Sequence, residues 1–132
     1  MWMVGRSEQL KGRAKEFAIR VVRLFRALPK TDEARVIGKQ LLRSATSVAA
    51  NYRAVCRARS KAEFVARMGV VEEIDETVLW LELLAEAGIM RQSRLGGLQS
   101  EANELLAIFA ASQRTAKLRQ TKKAKPDDSM TR

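Results

Sequence analysis

Apolar residues recur along this chain at steps of three and four, in four separate blocks. In the first, Leu10, Ala14, Phe17, Val21, Leu24 and Leu28 follow one another at 4-3-4-3-4, the spacing that keeps side chains on one face of an α-helix. Val22 and Phe25 widen that stripe, as a helix facing a bundle core requires. Ser7 is a candidate N-cap. Pro29 ends the helix, because it has no N–H and pushes Leu28 out of the α region. Thr31 then caps a second helix, with Asp32 and Glu33 at the positive end of its dipole. Val36, Ile37, Leu41, Ala45, Val48, Tyr52 and Val55 are expected to face inward there, and Gly38 with the Ser/Thr/Ala run at 44–50 keeps this helix slim.

Ser60 with Glu63 three residues on is a capping box, which satisfies two orphan N–H groups at a helix start. The third helix carries Phe64, Met68, Val71, Ile74, Val78, Leu81 and Leu84 as its stripe. Val70, Leu79, Trp80 and Leu83 extend it past one face, which predicts a second packing surface such as another subunit. Gly88 is a natural C′ stop. Residues 89–97 read as a turn with Gly96 and Gly97 at its flexible end, or with Gly97 inside the next helix. Leu98, Ala102, Leu105, Phe109, Ser112 and Ala116 form the last stripe, with Glu101 and Glu104 early and Arg114, Lys117 and Arg119 late. Beyond Arg119 the pattern fails.

The expected architecture is therefore all-α: an antiparallel up-down-up-down four-helix bundle over 7–118, with helices at about 7–28, 32–58, 61–87 and 94–118. Residues 1–6 are expected as a flexible arm and 119–132 as a disordered basic tail. With 132 residues, 46% of them hydrophobic, one domain can bury a real core. No apolar run approaches the ~20 residues that cross a bilayer. With no signal-peptide pattern and one cysteine, Cys56, a reducing cytoplasm is the expected setting.

Charge changes the picture. The net charge is +10, and it is uneven: +10 over residues 1–60, −5 over 61–111 and +5 over 112–132. Such asymmetry predicts a basic face and a complementary contact within or between subunits. There is no histidine, which removes Ser-His-Asp and Cys-His catalysis and every His-containing metal site. Glu72 with Glu76 and Glu82 with Glu86 are i,i+4 pairs. Without ligands from facing helices they read as an acidic face toward helices 1 and 2 rather than a metal site. No enzyme, metal or cofactor is expected. Cys56 beside Arg57 is either a redox thiol or a small packing residue.

Residues 41–64 hold the remaining signal. Ser44, Ser47 and Asn51 form a row of small polar residues beside the apolar face, read as a close helix contact with backbone-bonded hydroxyls or as a polar site in the seam. Arg43, Arg53, Arg57 and Arg59 surround them. RSATSVAANYRA at 43–54, then RSKAEF at 59–64, then an acidic apolar helix, resembles the bacterial four-helix-bundle family founded on proteins encoded by intervening sequences in large-subunit (23S) rRNA genes. Accessory proteins of diversity-generating retroelements belong to the same superfamily. The likeness spans about Phe17 to Ala116, and its motif positions are Arg43, Ser44, Ser47, Asn51, Ser60 and Phe64. Many members carry Glu-Gly shortly after the Asn. Here Tyr52-Arg53-Ala54-Val55-Cys56 follows, which marks a divergent branch with no role for that Glu. The resemblance implies a ring-shaped homopentamer and, from the retroelement relatives, service to a reverse transcriptase.

The functional expectation is a non-enzymatic oligomeric scaffold binding RNA or DNA backbones. The phosphate contacts expected are Arg20, Arg23, Arg26, Arg43, Arg53, Arg57, Arg59 and Lys61, with tail residues Lys122, Lys123 and Lys125. Arg53, Arg57 and Lys61 near the helix 2–3 turn are the leading group. Scarce aromatics argue against a base-stacking platform. The alternative is a protein-interaction module whose basic face meets an acidic partner protein.

Overall fold

Two chain reversals follow from local chemistry. After Pro29, the Thr31 side chain accepts the Ala34 N–H at 3.3 Å, while its backbone is extended. At the other reversal Gly88 takes φ +72°, and the N–H groups of Ile89 and Met90 close on the Leu84 carbonyl at 3.0 and 3.1 Å, a glycine C-cap.

A computed structural model describes residues 4–57, 60 and 69–130, with side chains from 6 to 119 among them. The helices are α1 (Val4–Ala27), α2 (Asp32–Val55), α3 (Val70–Glu86) and α4 (Gln92–Met130). Helix α2 packs between α1 and α3, and α4 packs on α3 and closes against α1. Contacts along each pair run in opposite directions. Ser44 meets Thr77 while Asn51 meets Glu73, and Arg13 meets Glu101 while Arg20 lies over Gly97. Cys56 meets Ser7 while Gly38 meets Phe25 and Leu28. The bundle is up-down-up-down.

The core is the four stripes brought together. Leu10, Ala14, Phe17, Val21, Leu24 and Leu28 are all buried. Helix α2 contributes Leu41, Ala45, Val48, Tyr52 and Val55, and α4 contributes Leu95, Leu98, Ala102, Leu105, Phe109 and Ala116. The Tyr52 and Phe109 rings stack with centroids 4.8 Å apart at 27°. Helix α2 is slim, as its sequence implies. A Cβ on Gly38 would stand 2.6 Å from Leu28 Cδ1 and 3.2 Å from the Phe25 ring, so this glycine lets the end of α1 close onto α2.

Several sequence expectations shift by a turn or a face. Helix α1 begins at Val4, so Ser7 is no N-cap: it is buried inside the helix and its carbonyl accepts the Cys56 thiol at 3.6 Å. Val36 was expected inward but is 63% exposed, and Ala34 and Gly38 take the inner positions. In α3 the buried stripe is Val70, Ile74, Thr77, Leu81 and Leu84; Val71 and Val78 are only half-buried. The hydroxyl of Thr77 explains the shift, because it reaches the Glu73 carbonyl and Ser44 Oγ, each at 2.8 Å. Gly96 and Gly97 lie inside α4, which starts at Gln92 because Leu95 is fully buried. The last buried residue among the described side chains of α4 is Ala116, with Leu118 66% exposed and Arg119 exposed, while the backbone of the segment expected as a disordered tail continues the helix to Met130.

The Tyr52 hydroxyl is buried without a well-formed hydrogen bond among the described residues, although Ser7 and Cys56 lie close enough to act on it. An unmet buried hydroxyl costs ~1–3 kcal/mol, so Tyr52→Phe is expected to raise unfolding free energy by about 1 kcal/mol in urea denaturation. Burial pushes the Tyr52 pKa up to about 12, against ~10 in an unfolded chain. Above pH 10 the unfolded chain releases this proton first. Stability is therefore expected to fall between pH 10 and 12 by on the order of 1–2 kcal/mol more in the wild-type protein than in Tyr52→Phe.

Candidate nucleic-acid interface

The charged residues sort by the flank on which their helix places them. On the α4 side of α1, Arg13 makes a two-pronged contact with Glu101: Nε donates to Oε2 at 3.0 Å and Nη2 to Oε1 at 2.8 Å. Nη2 also reaches Glu104 Oε1 at 2.8 Å. The Glu101 bond, more than the Glu104 one, raises the Arg13 pKa further above its ordinary value against the opposing effect of burial. Arg20 is half-buried on the same flank, where a Cβ on Gly97 would stand 3.0 Å from its Nη2. The bare backbone at Gly97 is what admits the guanidinium.

The α2–α3 flank carries the acidic face of α3. Arg43 pairs with Glu76 and donates from Nε to Gln40 Oε1 at 3.2 Å, and Glu76 also accepts the Trp80 indole N–H at 3.3 Å. The Asn51 amide donates to Glu73 at 2.5 Å. Ser44 is buried and donates to the Leu41 carbonyl at 3.2 Å. The row of small polar residues is thus a close helix contact. Thr77, which the sequence reading missed, supplies its cross-helix hydroxyl; a threonine at a buried three-four position was the available signal.

The α1–α2 flank differs. Arg35, Lys39, Leu42, Thr46, Ala49 and Arg53 lie at 4-3-4-3-4 along α2, and Glu8, Lys11, Lys15, Ala18, Val22 and Phe25 at 3-4-3-4-3 along α1. Near one end the two stripes frame a hollow of ≈ 660 Å³ lined by Gly12, Ala18, Thr46, Ala49 and Ala50 and by the charged residues Glu8, Lys11, Lys15 and Arg53. Near the other, Lys30, Arg35 and Lys39 edge a smaller hollow of ≈ 250 Å³ against Phe25, Leu28 and Pro29. Lys11 pairs with Glu8 at 3.0 Å and Arg35 with Asp32 at 3.3 Å, both exposed i,i+3 pairs of little strength. Among the described residues Lys15, Lys30, Lys39 and Arg53 form no ion pair.

Of the eight arginine and lysine positions expected from sequence, the six that are described do not converge. Arg20 and Arg43 lie on the α4 and α3 flanks, where they meet protein. Arg23, Arg26, Arg53 and Arg57 are exposed, and of these Arg53 edges the larger hollow. Arg59, Lys61 and Phe64 lie outside the described residues, as does Glu63 of the capping box, and so do the side chains of Lys122, Lys123 and Lys125. Lys11, Lys15, Lys30, Arg35 and Lys39 were not among the expected phosphate contacts, although pairing the two helices along their common edge aligns them. The Cys56 thiol is half-buried, and burial chiefly raises its pKa. That favours the packing role over a reactive thiolate. Among the described residues no cluster of three or more thiol or carboxylate groups could hold a metal ion, and no helix is long and apolar enough to cross a membrane.

Fold and charge together define a basic four-helix bundle whose distinctive surface is a cationic seam between two helices. The profile of the 23S rRNA-intervening sequence protein family matches residues 7–111, and the chain belongs to that family. Among solved structures it is similar to a protein of unknown function from the S23 ribosomal protein family of Bacteroides thetaiotaomicron. The two share 29% identity, the match covers 82% of this chain and 97% of that one, and the TM-score is 0.74. Comparison with curated proteins yields no match.

The two kinds of cation should separate in a stability measurement. Arg13→Ala is expected to lower unfolding free energy by about 1–2 kcal/mol, through loss of a partly buried charge-assisted contact. Lys15→Glu and Arg53→Glu should stay within about 0.5 kcal/mol of the parent.

Proposed function

We propose that this protein is a non-enzymatic, oligomeric nucleic-acid-associated scaffold or accessory protein that holds RNA or DNA by its phosphate backbone. The observation that carries this reading is the α1–α2 flank, where cations from both helices line two hollows and four of them have no ion pair among the described residues. Glu76 of α3 and Glu101 and Glu104 of α4 meet arginines on other flanks, and no described acid of α3 or α4 lines either hollow. Phosphate oxygens are the ligand such a surface suits, and contacts of this kind position without reading sequence.

Self-association and a cytoplasmic location belong to the same proposal. Val36 and Leu79 are 63% and 45% exposed, and Trp80 is half-buried, which leaves apolar surface for another copy. The family resemblance implies a pentamer, and it implies a reverse transcriptase as a protein partner. A second reading has one observation in its favour: the larger hollow is lined in part by small apolar residues, which also suits an acidic amphipathic helix of a partner protein.

The test is a fluorescence-polarisation titration of nuclease-treated protein with RNA and DNA duplexes over a salt series, with mass measured by light scattering. Binding is expected to weaken steeply with salt, with a log–log slope near −0.9 per phosphate contacted. No binding at low salt would remove the nucleic-acid reading and leave the protein-interaction one.

A further inference from the structure

The seam has charge at its two ends and none between. Lys11, Lys15 and Arg53 gather at one end, with Glu8 paired to Lys11, and Lys30, Arg35 and Lys39 at the other. The positions between them on the facing stripes are Ala18, Val22, Leu42, Thr46 and Ala49. Thr46 is occupied, donating to the Leu42 carbonyl at 2.8 Å. The stretch of α2 from Lys39 to Arg53 is ~21 Å long at ~1.5 Å per residue.

We infer, resting on the nucleic-acid reading above, that the partner is a duplex laid along the α1–α2 seam and held at both ends of it. Two cation clusters separated by a neutral stretch bind a stiff polyanion better than a flexible one. A duplex has a persistence length of ~150 base pairs and bridges ~21 Å without bending or loss of chain freedom. A single strand has to be held extended across the middle, normally by bases stacked on aromatic rings. The middle of this seam carries no ring. The nearest, Phe25, sits at one end against Gly38. At ~3.4 Å of rise per base pair, ~21 Å corresponds to about six base pairs. Shorter duplexes reach one cluster and longer ones reach both.

The experiment is a polarisation titration at fixed low salt with RNA and DNA hairpins of 4, 6, 8 and 12 base-paired stems, and with unstructured single strands of matched charge. Affinity is expected to step up between the 4- and 8-pair stems, then to rise only slowly, with single strands weaker than the 12-pair stem. Lys15→Glu with Arg53→Glu, and separately Lys30→Glu with Lys39→Glu, should each lower the salt slope on the 12-pair stem by at least about 2 and abolish the step. Arg23→Glu with Arg26→Glu, off the two hollows, should leave the step in place. Circular dichroism and light scattering confirm that each variant is folded and assembled as the parent. Binding that grows evenly with length, equal binding of single strands, or a step untouched by both double variants overturns the duplex seat while the broader nucleic-acid reading stands. Displacement of the hairpin by poly-glutamate at equal charge overturns it in favour of an acidic protein partner. No binding of any hairpin removes both.

Discussion

The close approach of α1 and α3 to α2 is the constraint on which the rest of the molecule depends. Ala34, Gly38, Ser44 and Ala45 give the buried face of α2 little bulk, and the Leu28 side chain occupies the space a Cβ on Gly38 would need. The described hollows lie at the outer edge of the α1–α2 pair. The small residues on that edge of α1 and α2, Gly12, Ala18, Ala49 and Ala50, make it a hollow rather than a ridge.

Antiparallel order then decides where the charges go. Because α4 runs against α1, Glu101 and Glu104 come level with Arg13. Because α3 runs against α2, Glu73 and Glu76 come level with Asn51 and Arg43. Both acidic helices are thereby turned toward flanks other than the α1–α2 edge. Among the described residues, Glu8 and Asp32 are acids of α1 and α2 with a partner, each bound to a cation one turn away on its own helix. The uneven charge along the sequence becomes an uneven charge around the bundle through helix order alone.

This explains which parts of the structure were legible beforehand. Periodicity located the four helices, Pro29, Thr31 and Gly88 marked described ends, and the stripe of α1 was read residue for residue. Errors fall where a polar or very small residue held an inner position. Thr77 and Gly38 carry no hydrophobic signal, so Val78 and Val36 were given inner places. Ser7 looked like a cap because its burial comes from the far end of α2. The candidate site was less legible than the fold. A local cluster such as Arg53, Arg57 and Lys61 is visible in one stretch of sequence. Lys15 and Arg53 become neighbours only once two helices are paired in register.

The same geometry limits what the seam can recognise. Its cations stand on α1, α2 and the loop between them, with Ala18, Val22, Leu42, Thr46 and Ala49 at the positions between. Arginine and lysine can read guanine in a groove, but most contacts of such cations go to phosphates, so shape, length or arrangement would carry much of any selectivity. A partner that presents phosphates along a straight line fits one seam, and copies of the bundle joined through Val36 and Leu79 would set several seams at fixed angles. On this view the number and orientation of seams in an assembly, rather than any single residue, determine which nucleic acid is held.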